Sequence, residues 1–138
     1  MAETMKLAWL TIDDAPTEDL RLRVDELNAR GIRAIWFCLG ELLEKYPEEA
    51  AYAVRSGHIL GNHSYNHPAF SQLSLDEAKD QIERTERLLD GIYARAGVPR
   101  PVKLFRFPFL DDGGDGKREA LQALLRDAGI EHAGFPGV

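Results

Sequence analysis

The sequence predicts an α/β fold: a parallel α/β sheet or part of a (β/α) barrel. Two observations carry this expectation. Short runs rich in β-formers alternate with longer stretches of helical apolar spacing, the signature of βαβ units around a parallel sheet. The polar residues capable of chemistry fall where the strand-like runs end, and in parallel α/β folds chemistry sits at the carboxyl ends of the strands. The chain has 138 residues, the size of one domain. With no repeat, low-complexity tract or Gly/Ser linker, residues 1–138 are read as one unit.

Taken in order, Lys6-Leu-Ala-Trp-Leu-Thr-Ile12 reads as a buried first strand closed by Asp13-Asp14. Thr17 to Arg30 has helical spacing at Leu20, Val24 and Leu27, with Thr17 as the expected N-cap and Gly31 at the end. Arg33 to Leu39 is a second strand, Glu41 to Ser56 one helix, and His58 to Gly61 a short third strand. Leu75 to Ala96 is a long helix opened by the capping sequence Ser74-Leu-Asp-Glu77 and stopped before Gly97. On it, Leu88, Leu89 and Ile92 are expected in the core, with Glu83, Arg84, Glu86 and Arg87 as the solvated face. Val102 to Arg106 is a fourth strand and Lys117 to Ala128 a helix, and Glu131 to Ala133 begins a fifth strand. The intervening Asp111-Asp-Gly-Gly-Asp-Gly116 lacks the ligand spacing and terminal Glu of a calcium loop and reads as a turn near the cleft.

Composition removes several classes of function. Acidic residues outnumber basic ones by 23 to 17, a net charge of -6, so nucleic acid is not the expected partner. The single cysteine, Cys38, allows neither an intrachain disulfide nor a cysteine-rich zinc site. No stretch approaches the roughly 18 apolar residues that would span a bilayer. The first residues, Met1 to Lys6, lead straight into the first strand without the pattern of an export signal.

Three strand ends carry candidate chemistry. Thr11-Ile-Asp-Asp-Ala-Pro16 holds two adjacent carboxylates, which in an extended strand point to opposite faces. Either they merely end the strand before a turn, or one binds a cation and its neighbour, kept ionised by that cation, acts as a base. Gly61-Asn-His-Ser-Tyr-Asn-His-Pro68 places His63 and His67 four residues apart, so one helical turn would set both imidazoles on one side, with Asn62 as its cap. With a nearby carboxylate they suit zinc or a similar divalent ion; otherwise they are two surface histidines in a polar loop. His58, at the start of its strand, is expected to be structural. Phe105-Arg-Phe-Pro-Phe109 puts an arginine among aromatics, costly to bury without an acidic partner. Asp13 is the expected partner, the alternative being a surface arginine.

On these residues the chain resembles the polysaccharide deacetylase family, the NodB-homology domain of carbohydrate esterases. Thr11-Ile-Asp-Asp-Ala-Pro16 is similar to its first motif, His63-Ser-Tyr-Asn-His67 to its histidine-pair motif, and Arg106-Phe-Pro-Phe109 to its third. The resemblance implies that Asp14, His63 and His67 bind a divalent metal, zinc foremost with cobalt or nickel as alternatives. It implies Asp13 as general base, Arg106 as the group that orients and charge-balances it, and Pro108 and Phe109 as substrate-binding. The implied reaction is hydrolysis of N-acetyl groups on chitin oligomers or peptidoglycan, with metal-activated water, and the implied fold is a distorted seven-unit (β/α) barrel of which about five units are present. Members are often secreted or associated with the cell envelope.

The family's fourth and fifth motifs, which supply an Asp and a Trp and then a histidine acid, lie beyond the third. The tryptophans here, Trp9 and Trp36, lie upstream, and the one later histidine, His132, is expected to be structural. Ala15 replaces the family's usual glycine, which should tighten the backbone at that turn. An incomplete barrel has an open edge, so pairing of two copies, or continuation in a longer protein, is expected. The competing readings are a metal-binding but catalytically incomplete fragment, another metallohydrolase acting on small amides, and a phosphoacceptor receiver domain. The last needs an acceptor Asp at the third strand end, where this chain has Asn62-His63, and a Lys-Pro at the fifth strand end, which it does not have.

Overall fold

The computed structural model describes residues 8–132. Five parallel strands form one sheet in the order β1-β2-β3-β4-β5: β1 (Leu10–Ala15), β2 (Ala34–Cys38), β3 (Ile59–Asn62), β4 (Leu104–Phe105) and β5 (Glu131–His132). Helices α1 (Leu20–Ala29), α2 (Gly40–Lys45), α3 (Pro47–Arg55), α4 (Leu75–Ala96) and α5 (Arg118–Asp127) lie in the connections. Strands adjacent in sequence are adjacent in space, as successive βα units require. Among the described residues the sheet does not close, so the expected partial barrel is the observed architecture.

The first strand differs most from its expected span. It begins at Leu10 and runs through both aspartates to Ala15, whereas Lys6 and Leu7 lie outside the described residues. Ile12 pairs with Trp36 and Ala15 with Cys38, so Asp13 and Asp14 together face the single residue Phe37. This is a β-bulge, and Asp14 takes up the extra residue with φ 61. Aspartate tolerates that left-handed region better than most residues. The strain falls on Asp14, and Ala15 fits in the strand without a positive φ.

Three further expectations need correction. Thr17 does not cap α1; Asp19 occupies the cap position, and the Thr17 hydroxyl donates to its carboxylate at 2.6 Å. The single helix expected over 41–56 is two, because Pro47 has no N–H to give and disfavours a helical Tyr46, which sits at φ -127. β4 spans two residues, although the Arg106 N–H to the Asn62 carbonyl (2.9 Å) carries the ladder one residue further. The long helix α4 has its expected bounds. Ser74 and Glu77 form a complete capping box, worth about 1 kcal/mol, and Gly97 ends the helix at φ 72.

The core has two parts. Leu20, Val24, Trp36, Leu43, Ala50, Leu60 and Leu89 join α1, α2, α3 and α4 to the sheet. Phe70, Phe105 and Phe107 form a second cluster, their rings edge to face with centroids 4.9–5.7 Å apart. Beyond β1 the surface is apolar and exposed at Trp9, Leu10, Leu22 and Ile32. Among the described residues no helix is long and apolar enough to cross a membrane.

His58 is structural, as expected. Its Nδ1 accepts from Trp36 Nε1 at 2.9 Å, so Nε2 carries the proton and donates to Asn28 Oδ1 at 2.7 Å. Burial holds it below the usual imidazole range. The unfolded chain titrates near pH 6.5, so this neutral histidine leaves stability intact above that value. Stability is then lost as pH falls below about 6.5 towards the lowered native value. His63 and His132, also lowered by burial, act in the same direction. Urea unfolding is therefore expected to show a lower midpoint at pH 5.5 than at pH 7.5. His58→Gln, less stable at pH 7.5, should show a smaller drop; an unchanged drop would contradict this role for His58.

Candidate metal centre

The bulge in β1 turns both carboxylates towards the same end of the sheet, where strict alternation would have split them. Asp14 Oδ1 lies 3.6 Å from His63 Nε2 and 3.5 Å from His67 Nε2. Asp13 Oδ2 lies slightly further off, 3.9 Å from His63 Nε2. One ligand atom each from Asp14, His63 and His67 falls within 4.8 Å of the others.

His63 and His67 do not share a helical turn. The stretch between them is an irregular loop in which Ser64 (φ 75) and His67 (φ 65) are left-handed. Each such residue costs of order 1–3 kcal/mol and persists only where its surroundings impose it. Local hydrogen bonds supply part of that constraint. Asn62 Oδ1 accepts from Ser64 N at 2.9 Å, and Ser64 Oγ accepts from His67 N at 3.0 Å. Asn62 thus caps the loop as expected, though no helix follows. The first turn of α2 adds Gly40 N–H to Ser64 O and Glu41 N–H to Tyr65 O, both 3.0 Å. Gly40 is needed for this approach, since a Cβ there would collide with the Tyr65 ring.

The protonation of His63 follows from its neighbours. Nδ1 faces the Arg106 carbonyl at 2.8 Å, so it carries the hydrogen and leaves the Nε2 lone pair aimed at the cluster. Burial pushes His63 below the usual imidazole range, against the raising effects of that carbonyl, Asp13 and Asp14. A neutral imidazole is the ligand form. The 3.6 Å contact between His63 and Asp14 is therefore not an ion pair. Ligands about 2.0–2.1 Å from a tetrahedral ion stand roughly 3.3 Å apart, close to the 3.5–3.6 Å observed. The two-nitrogen, one-carboxylate donor set fits zinc or a similar divalent ion.

Arg106 is 5% exposed and has the partner expected of it. Its Nη1 donates to Asp13 Oδ1 at 2.8 Å and Thr11 Oγ1 at 3.1 Å, and its guanidinium lies over the Phe37 ring at 4.2 Å. Pro108 is buried in a short 3-10 turn, Pro108–Leu110. Phe109, left-handed at φ 58 and 70% exposed, sets its ring edge-on to His67 at 4.6 Å. Every site residue expected from the sequence thus lies at this one end of the sheet. His132 packs on Phe107 at 5.0 Å and lies outside the three-residue ligand cluster. The Asp111 turn is tied to Ser71, whose N–H and hydroxyl both donate to the Asp111 carboxylate.

Glu86 needs correction and Gln81 is new. Glu86 is not solvated: its side chain is 13% exposed and bidentate with Arg100 at 3.0 Å, and it accepts from Asn62 Nδ2 at 3.0 Å. Its position, four after Ile82 and three before Leu89, lies on the buried stripe of α4, so helical spacing held that signal. Gln81 touches the histidine loop itself, at Tyr65 and Asn66.

Fold and site together define a class: a parallel α/β sheet with a two-histidine, one-carboxylate cluster at the carboxyl ends of its strands. The model of the family "Polysaccharide deacetylase" matches residues 2–133, and the chain belongs to that family. A peptidoglycan-N-acetylglucosamine deacetylase of Bacillus cereus is 37% identical over 82 residues, which are 59% of this chain and 30% of that protein. A family 4 carbohydrate esterase of Streptomyces lividans, solved with acetate, superposes with TM-score 0.77 at 28% identity, covering 92% of this chain and 61% of that one. A family 4 pseudoenzyme of Bacillus anthracis superposes with TM-score 0.72 at 28% identity, covering 90% and 41%. The chain thus spans less than two thirds of the length of these relatives.

Proposed function

We propose that this chain carries the metal and base half of a metal-dependent polysaccharide N-deacetylase acting on peptidoglycan or chitin oligomers. The observation that carries the reading is the convergence of Asp14, His63 and His67, with Asp13 beside them and Arg106 behind Asp13. A divalent ion held by Asp14, His63 and His67, zinc above all, supplies Lewis acidity to the acetyl carbonyl and the attacking water. Asp13 accepts the proton from that water as it attacks. Arg106 fixes the Asp13 carboxylate through one oxygen and leaves the other facing the cluster. Phe109 offers an exposed ring face beside His67, a surface on which a sugar can stack, with Pro108 holding its turn.

The membership of a pseudoenzyme in the similar structures favours a second reading, a metal-binding chain that does not turn over. Acetate release from N-acetylglucosamine oligomers and peptidoglycan fragments, measured with zinc or cobalt, separates the two. Release that depends on added metal is expected from the first reading; one bound ion and no release gives the second. Pairing of copies through the open β1 edge rests on the exposed apolar residues there, and a strictly monomeric species by light scattering over a wide concentration range excludes it.

A further inference from the structure

We propose that Gln81 on α4 is a positioning residue that fixes the loop between His63 and His67 and so sets the spacing of the two imidazoles. The inference rests on the reading of those histidines as ligands. The loop lies outside helix and strand, and two of its residues are left-handed, so its shape must be imposed from outside. Within it the backbone N–H groups of Tyr65 and Asn66 both donate to one atom, Gln81 Oε1, at 2.8 and 3.2 Å. Gln81 Nε2 returns a bond to Asn66 Oδ1 at 2.9 Å. One amide therefore brackets the two residues immediately before His67, while the His63 N–H is held separately by the Cys38 carbonyl.

The neighbouring contacts divide the work. Asn62, with Glu86 and Ile82, anchors the start of the loop, and α2 anchors its carbonyls. Gln81 is what holds the N–H groups of Tyr65 and Asn66, whereas the His67 N–H goes to Ser64 Oγ within the loop. It rides on a helix with a complete capping box, so its amide is presented from a rigid element. A group that preorganises a metal site without touching the metal acts through affinity, typically by 10–100-fold. Because Gln81 grips the loop backbone and not an imidazole, the low end of that range is expected.

The test uses Gln81→Met, which keeps length and helix propensity, and Gln81→Glu. In the latter, the carboxylate can still accept from both N–H groups, and the Asn66 amide can turn to donate. Two readouts are independent of activity. Without metal, amide hydrogen exchange at Tyr65 and Asn66 should speed at least about tenfold in Gln81→Met, with His63 and Arg106 amides and the melting temperature unchanged. With cobalt, the same variant should bind about tenfold more weakly and shift the visible spectrum, while Gln81→Glu stays within about twofold of the original chain. Unchanged exchange at Tyr65 and Asn66, or equal weakening by Met and Glu, overturns the inference. Failure of the unsubstituted chain to bind cobalt, with exchange as expected, overturns instead the assignment of the ligands and leaves Gln81 as a loop clamp.

Discussion

Asp13→Asn is expected to lower acetate release by about 10²–10⁴-fold, the usual contribution of a general base, with bound metal unchanged. The amide oxygen can still accept from Arg106 Nη1, which holds the carboxylate at 2.8 Å and is itself steadied by Thr11 Oγ1 at 3.1 Å. What it cannot do is take a proton. Asp13 stands outside the three-residue ligand cluster, so the ion should remain. Activity within a few-fold of the original chain would remove Asp13 from the role of base. Loss of metal along with activity would make it a ligand.

Asp14→Asn and His67→Asn are expected to weaken cobalt binding by more than about 100-fold, beyond the range of groups that act from outside the ligand shell. Asparagine is chosen because both positions are left-handed and it tolerates that region. Neither side chain belongs to the core, so the metal-free melting temperature should change little. Calorimetric titration reads the affinity directly. Binding within about tenfold of the original chain in either variant would mean that the ion sits elsewhere.

The elements legible in the sequence were those with strong local signals. The capping box at Ser74 and the glycine after Ala96 fixed α4 at both ends, and apolar spacing placed Leu89 and Ile92 in the core. The pairing of Arg106 with Asp13 was legible because a buried guanidinium requires an acid. Two features of the site were not. Whether Asp13 and Asp14 diverge or converge depends on a bulge set by pairing with β2, and alternation along one strand cannot reveal it. The loop between His63 and His67 has no repeating pattern, so its path is written in contacts from α2 and α4, distant in sequence. Glu86 was legible in principle, but its charge suggested solvent where helical position indicated the core.

Anomalous diffraction at the zinc edge, from crystals grown with zinc, would locate the ion itself. One peak per chain is expected, about 2.0–2.2 Å from Asp14 Oδ1 and from the Nε2 atoms of His63 and His67. A strong peak elsewhere with this position empty, or coordination without Asp14, would refute the proposed centre.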